Sequence, residues 1–364
     1  MRTPVALVLD IEPDPRLVYE PDPRHWDGLR AMLDFVSRLR AALAPSQESA
    51  PTFTWTLRMD PQMRRVYGSN AWMAERFRAE LDAVAAEGDD LGLHTHLYRW
   101  DEHRGDWTTD MRDPQWPVAC VREATAAYRE VFGRDCEVHS FGDRWLTEEG
   151  LDALEEEGVR VELTPESGMV AKPRFRSDEA MVGNTPDFSR APRRLWKPAV
   201  SDFLRDDPAS TRRIRILPVA TYRFPFYFEP GRRIDLALRR SRGDVPSEDD
   251  LTQRHVRLCV GQRAYVVRRG LSILMREHAP TTLHFVLRTS QAGDAKLLAR
   301  VEANLTWLAR GGLGRPVEFL SATRLLDAVD ARVAKKATPR SAEAAITPGS
   351  GRVLPASMDA RASG

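Results

Sequence analysis

Cysteine is scarce in this chain, with three among 364 residues: Cys120, Cys136 and Cys259. They are odd in number, widely spaced and without a CxxC pair, which argues against a disulfide framework and for reduced, mostly buried thiols. No apolar run approaches the roughly 20 residues that cross a bilayer. Charge of one sign is also missing: 54 Lys and Arg stand against 53 Asp and Glu, a formal net charge of +1. Without a one-signed field, neither nucleic acid nor an acidic membrane is an expected partner. The first apolar segment, Val5–Leu9, is too short for a signal-peptide core and runs into acidic residues, so it reads as a buried strand and the protein as cytoplasmic. There is no Gly-rich nucleotide fingerprint and no internal repeat.

What is present is an alternation of short apolar runs with longer amphipathic ones. Strands are expected at Val5–Leu9, Thr52–Leu57, Leu91–His96, Glu137–His139, Val159–Leu163, Ile214–Val219, Thr282–Leu287 and Val317–Leu320. Helices fall between them: Trp26–Leu43, an Asn70-capped helix carrying Met73, Phe77, Leu81 and Val84, Val118–Phe132 ending at Gly133, and a Thr147-capped helix ending at Gly158. Further helices are expected within Asp250–Arg276, at Ala295–Arg310, and after a Ser321 cap to Val333. Thr164–Arg212 loses periodicity and reads as a long functional loop. The expected fold is α/β, a distorted (β/α)7–8 barrel over residues 1–335, with 336–364 a disordered tail poor in aromatics. In such a barrel the chemistry lies just past the C-terminal ends of the strands.

Two constellations fall there. After the first strand come Asp10 and Glu12, two residues apart, so extended backbone turns both carboxylates to one side. They suit a metal ligand and a general base, or simply a charged loop capping the strand. After the third strand, His94 and His96 share a face by the same parity. One carboxylate and two imidazoles leave open positions on a metal, the arrangement of a catalytic zinc site. Tyr98, Trp100, Trp107 and Trp116 follow in a loop, where the rings either stack on a sugar face or pack the loop down. His139 ends a strand, and His284 lies four residues before Arg288 on the same strand face. His25, His103, His255 and His278 read as structural or exposed. The Arg-rich runs at 190–194 and 239–242 read as solvated faces.

Taken in order, these motifs resemble the polysaccharide deacetylase superfamily (the NodB homology domain, carbohydrate esterase family 4). LVLDIEPD matches its strand-end acidic motif, AAEGDDLGLHTHLY its histidine motif, and SFGDRWLTEEGLDALEEEGVRVEL its Arg-bearing turn and following strand. WKPAVSDF followed by RIRILPVA resembles a later aromatic segment, so the likeness runs from Val5 to Asp327. It implies Asp10 as base, Glu12, His94 and His96 as ligands of a divalent metal (zinc), and Arg144 orienting Asp10. Three positions depart from the family pattern. Tyr98 stands where a second histidine is usual and His96 substitutes; Arg288 stands where a catalytic histidine is usual; Phe141 replaces an arginine. His139 or His284 is then the expected acid, and Tyr98, Trp100, Trp145 and Arg288 the expected substrate contacts. The implied activity is metal-dependent removal of an N-acetyl or related acyl group from a sugar or sugar-containing intermediate. The rivals are a degenerate barrel that binds carbohydrate without turnover and a metal-independent glycoside hydrolase.

Overall fold

In the computed structural model, residues 2–110, 112–172, 180–223 and 255–337 are described. The strands β1 (Thr3–Ile11), β2 (Thr54–Arg58), β3 (Asp90–Thr95), β4 (Val138–Phe141), β5 (Val161–Glu162), β6 (Arg215–Ile216), β7 (Leu283–Arg288) and β8 (Val317–Phe319) form one sheet. The spatial order is β7-β1-β2-β3-β4-β5-β6, with β8 also paired to β1, and every pairing is parallel. β1 is buried along its whole length, as its near-continuous apolar sequence requires of a strand covered on both faces. Helices connect the strands, so the sheet curls into a half-barrel. Among the described residues β6 and β7 form no ladder. A single backbone hydrogen bond, Ala220 N to His284 O at 2.8 Å, reaches across instead. The expected barrel is therefore present in distorted form, open on one side.

The register fixes which side chains share a face. Asp10 lies beside Thr56 on one side and Arg288 on the other, and His94 lies beside Arg58 and Ser140. Odd-numbered residues of β1 (Val5, Leu7, Leu9, Ile11) join the main apolar cluster with Leu29, Met32 and Leu39 of the helix Asp27–Leu43. The even-numbered Asp10 therefore faces the other side of the sheet. A second cluster gathers Phe141, Trp145, Trp196, Leu151 and Leu154.

Several elements differ from expectation for identifiable reasons. The helix expected behind Asn70 is two helices, Trp72–Arg76 and Arg78–Ala86, broken where Phe77 leaves helical geometry (ψ 29°). Asn70 does not cap it; the Ser69 hydroxyl accepts from the Ala71 N–H. The helix Pro61–Tyr67 was not expected, although Asp60 accepts from the Gln62 and Met63 N–H groups and Pro61 opens the first turn. Thr147 caps Glu148–Glu156 as expected, and Gly133 ends Gln115–Phe132 in the left-handed region at φ 65°. Among its described residues, Thr164–Arg212 contains one short strand, Ala180–Val182. Of the helix placed within Asp250–Arg276, the described part begins at Ala264 and ends at His278, and His255–Arg257 is a strand.

Residues 239–242 and 338–364 lie outside the described residues, so the basic run and most of the expected tail are not among them. Two units divide the chain, Met1–Ala328 and Val329–Gly364, the second starting inside the helix Ala322–Ala337. Cys120, Cys136 and Cys259 are free thiols, the first two buried. No helix among the described residues is long and apolar enough to cross a membrane.

Candidate metal centre

β1 carries Asp10 to its end and Glu12 one residue beyond it; β3 carries His94, with His96 just past Thr95. Because extended backbone alternates, the even positions of both segments turn to the same space. Glu12 Oε1 lies 2.9 Å from His94 Nε2 and 3.0 Å from His96 Nε2, and the two Nε2 atoms are 3.1 Å apart. Both imidazoles are buried, at 2% and 1% exposure. Among the described residues this is the one group of His, Cys, Asp or Glu donors that converges in this way.

Without an ion the arrangement is costly: two buried imidazole nitrogens stand 3.1 Å apart beside one carboxylate oxygen, and protonating both so that they donate to it sets two N–H groups against each other. A cation satisfies them together. The spacings approach the ~3.3 Å edge of a tetrahedron of ligands about 2.0–2.1 Å from zinc. The outer nitrogens support the same reading. His94 Nδ1 lies 3.7 Å from Asp10 Oδ1, and His96 Nδ1 lies 3.3 Å from Asp143 Oδ2, both as charge contacts rather than aligned hydrogen bonds. A carboxylate facing Nδ1 keeps the proton there and leaves the Nε2 lone pair for the centre. Glu12, His94 and His96 are thus a buried triad able to bind a metal.

The neighbouring charges fit this donor set. Burial alone would raise the Glu12 carboxyl, but the Arg288 guanidinium and the two imidazoles outweigh it and hold the group well below the usual carboxylate range. Arg288 Nε lies 3.6 Å from Glu12 Oε2. The Glu12 N–H donates to Thr289 Oγ1 at 3.0 Å, fixing the backbone beyond β1. Asp10 Oδ1 accepts the Thr56 hydroxyl at 2.8 Å, its register neighbour.

Asp143 was not singled out in the sequence, yet it joins several side chains here. It accepts from both Arg16 NH groups, at 2.8 and 2.5 Å, and from Tyr98 Oη at 3.0 Å. Burial pushes its carboxyl up, and His96 and Arg16 overcome that and hold it well below the ordinary value. The Tyr98 ring stacks on His96, with centroids 4.9 Å apart and planes at 22°. Asp60 accepts the His96 N–H at 3.1 Å and pairs with the buried Arg58. Gly142 leaves the space for His96: a Cβ there would stand 2.2 Å from its Nε2. Asp143 and Arg144 both adopt positive φ, 54° and 68°, which costs each on the order of 1–3 kcal/mol and is concentrated at the site.

Other expected residues lie elsewhere. His139 pairs in register with Leu93, not His94, and so points to the opposite face of the sheet. Both its nitrogens are engaged, Nδ1 with Glu162 Oε2 at 2.8 Å and Nε2 with Thr95 Oγ1 at 3.0 Å, which removes it as an acid for this site. His284 shares the face of Asp10 but lies deeper; it is fully buried, its Nδ1 meets Leu217 O at 3.1 Å, and burial lowers its pKa to about 4. Such an imidazole stays neutral and out of reach of a ligand at the strand ends. Trp145 is 1% exposed and fills the second apolar cluster rather than meeting solvent. Arg144 is buried on the wall of a cavity with Glu166, Arg257 and Arg288, while the Asp10 carboxylate takes its hydrogen bond from Thr56. Trp107 and Trp116 donate to Val18 O and Leu97 O and so pin the loop. Trp100 stays partly exposed, edge-on to Trp107 and to Tyr19, itself 56% exposed.

Neither a protein family's sequence profile nor any curated protein matches the chain. Solved structures do. A Mycobacterium smegmatis protein assigned to the polysaccharide deacetylases superposes with a TM-score of 0.51 at 14% identity, covering 94% of each chain. A Parabacteroides distasonis protein assigned as a glycoside hydrolase/deacetylase gives 0.45 at 12% identity, covering 88% of this chain and 69% of that one. Peptidoglycan deacetylase PdaC from Bacillus subtilis gives 0.38 at 8%, covering 92% and 95%. The first of these carries the comparison, and at such identity it speaks to fold. In fold, then, this chain is an α/β half-barrel similar to that of the Mycobacterium smegmatis protein.

Proposed function

We propose that this protein is a metal-dependent hydrolase that removes an N-acetyl group from a sugar or sugar-containing intermediate. The observation that carries the reading is the convergence of Glu12, His94 and His96, with Asp10 alongside, at the C-terminal strand ends of this fold. A divalent ion held by that triad, zinc by the nature of two imidazoles and one carboxylate, supplies Lewis acidity and a water of lowered pKa. Asp10 is the base: Thr56 holds Oδ1, and Oδ2 takes the proton of the attacking water. Arg288, the register neighbour of Asp10, keeps positive charge beside Glu12 and favours its ionised carboxylate. With His139 on the other face and His284 buried and neutral, the protonated Asp10 is the group at hand to return that proton to the departing amine as the C–N bond breaks. Acetate and a free amino sugar are the products.

Trp100 and Tyr19 support a sugar as the substrate body, since partly exposed rings match the apolar C–H face of a pyranose. The test is acetate release from a panel of N-acetylated sugars by the zinc-loaded protein. Release that stops on chelation and returns with zinc is the expected result. A metal-loaded, folded protein that frees no acetate from any of them would overturn the assignment.

A further inference from the structure

β3 ends at Thr95, one residue before the second imidazole ligand, and its ladder with β2 ends at the pair Arg58–His94. His96 lies past that last pair, and among the described residues no main-chain carbonyl takes its N–H. A residue beyond the end of a ladder is free to leave the extended conformation, and a turn there would swing the His96 ring away from the His94 side. A side chain supplies what the ladder does not. Two residues after β2, Asp60 Oδ2 accepts the His96 N–H at 3.1 Å, in place of the carbonyl that a longer β2 would offer.

Asp60 is itself locked in place. It is fully buried, as are Gln62 and Arg58. Its Oδ1 accepts the Gln62 N–H at 3.0 Å and so caps the helix Pro61–Tyr67, while Oδ2 pairs with Arg58 Nε. Arg58 Nη2 donates to Gln62 Oε1 at 2.7 Å, which ties the three residues together. Arg58 also reaches His96 by a second route. Its guanidinium carbon lies 5.6 Å from the centre of the Tyr98 ring, and that ring stacks on His96. Charge gives the pair a further purpose. Arg58 is the register neighbour of His94, so its guanidinium shares the face of the cation site, and Asp60 neutralises it there.

We propose that Asp60 is a positioning residue of the metal centre: its carboxylate, held by Arg58, keeps the His96 main chain extended and so keeps the two imidazoles on one side of the sheet. The inference rests on the metal reading of Glu12, His94 and His96, and it can fail while that reading stands.

Two full-length variants test it beside wild type, each titrated with zinc and separately with cobalt(II), whose visible absorption reports the ligand set and its geometry. Asp60→Asn removes the charge and leaves one carbonyl oxygen to serve the His96 N–H, the helix cap and Arg58. Removing one partner of a buried ion pair also destabilises the fold, so Arg58→Met combined with Asp60→Ser is made beside it. That double change removes both charges and keeps a capping side chain, so it retains the fold, but serine is too short to serve the helix and His96 together. A zinc Kd weakened about tenfold or more in whichever variant folds, with a changed cobalt spectrum, is the expected result. A purely structural role predicts otherwise: a lower urea midpoint in Asp60→Asn, with the zinc Kd and the cobalt spectrum of wild type. Wild-type metal binding in either folded variant overturns the positioning role and leaves the metal centre standing. A wild type that binds neither ion overturns the metal reading and this inference with it.

Discussion

Asp143→Asn isolates one charge at the centre of the site. Asparagine keeps the size of the side chain and tolerates positive φ better than other non-glycine residues, so the φ of 54° adds no new strain. What disappears is the negative charge 3.3 Å from His96 Nδ1 and paired with Arg16. A carboxylate behind a metal-binding histidine is typically worth 10- to 100-fold in metal affinity, about 1.4–2.7 kcal/mol. Arg16 is left without its bidentate partner in a position only 18% exposed, and breaking such a pair costs about 3 kcal/mol of stability. The assay is competition for zinc against a chromophoric chelator, run beside urea unfolding. A zinc Kd weakened by at least about tenfold and a lower urea midpoint are expected. A folded variant that binds zinc as wild type does would refute the argument that Asp143 orients His96.

Asp10→Asn should lower acetate turnover about 10²- to 10⁴-fold while zinc content stays at the wild-type level, because the three ligands are untouched; elemental analysis beside the activity assay separates a base from a ligand. Gly142→Ala should lose zinc affinity by more than about tenfold, since its Cβ would stand 2.2 Å from the His96 donor nitrogen, and dialysis followed by metal analysis reads the loss. His284 titrates near 4 when folded and near 6.5 when unfolded, so below pH 6.5 the unfolded chain binds the extra proton. Stability is then full above 6.5 and falls by up to ~3 kcal/mol as pH drops toward 4. Urea midpoints across that window should show a slope that His284→Gln flattens, and an unchanged slope would remove His284 as its source.

The parts of the site legible in the sequence are those that depend on local periodicity. Asp10 and Glu12, and His94 and His96, share a face because extended backbone alternates, and the alternation persists just past β1 and β3. His139 also reads as a strand end, but β4 runs on to Phe141, and the face of His139 depends on the register that pairs it with Leu93, which is set by the packed sheet. Trp145 reads as a ring available to a ligand until the second cluster closes over it. Asp143 reads as a turn residue, a common place for Asp, and only the fold brings Arg16, Tyr98 and His96 to it. An acidic residue directly after a strand of a βα barrel was the available signal. The opening between β6 and β7 was hidden for a related reason: β5 and β6 have only two residues each, too few for period to reveal where a ladder stops.

The central claim is that Glu12, His94 and His96 hold one divalent ion. Elemental analysis of the purified, zinc-loaded and dialysed chain tests it most directly, run on wild type and on folded His94→Ala and His96→Ala variants. One zinc per wild-type chain, lost in each variant, is the predicted result; substoichiometric zinc in wild type, or full zinc in both variants, would contradict the account.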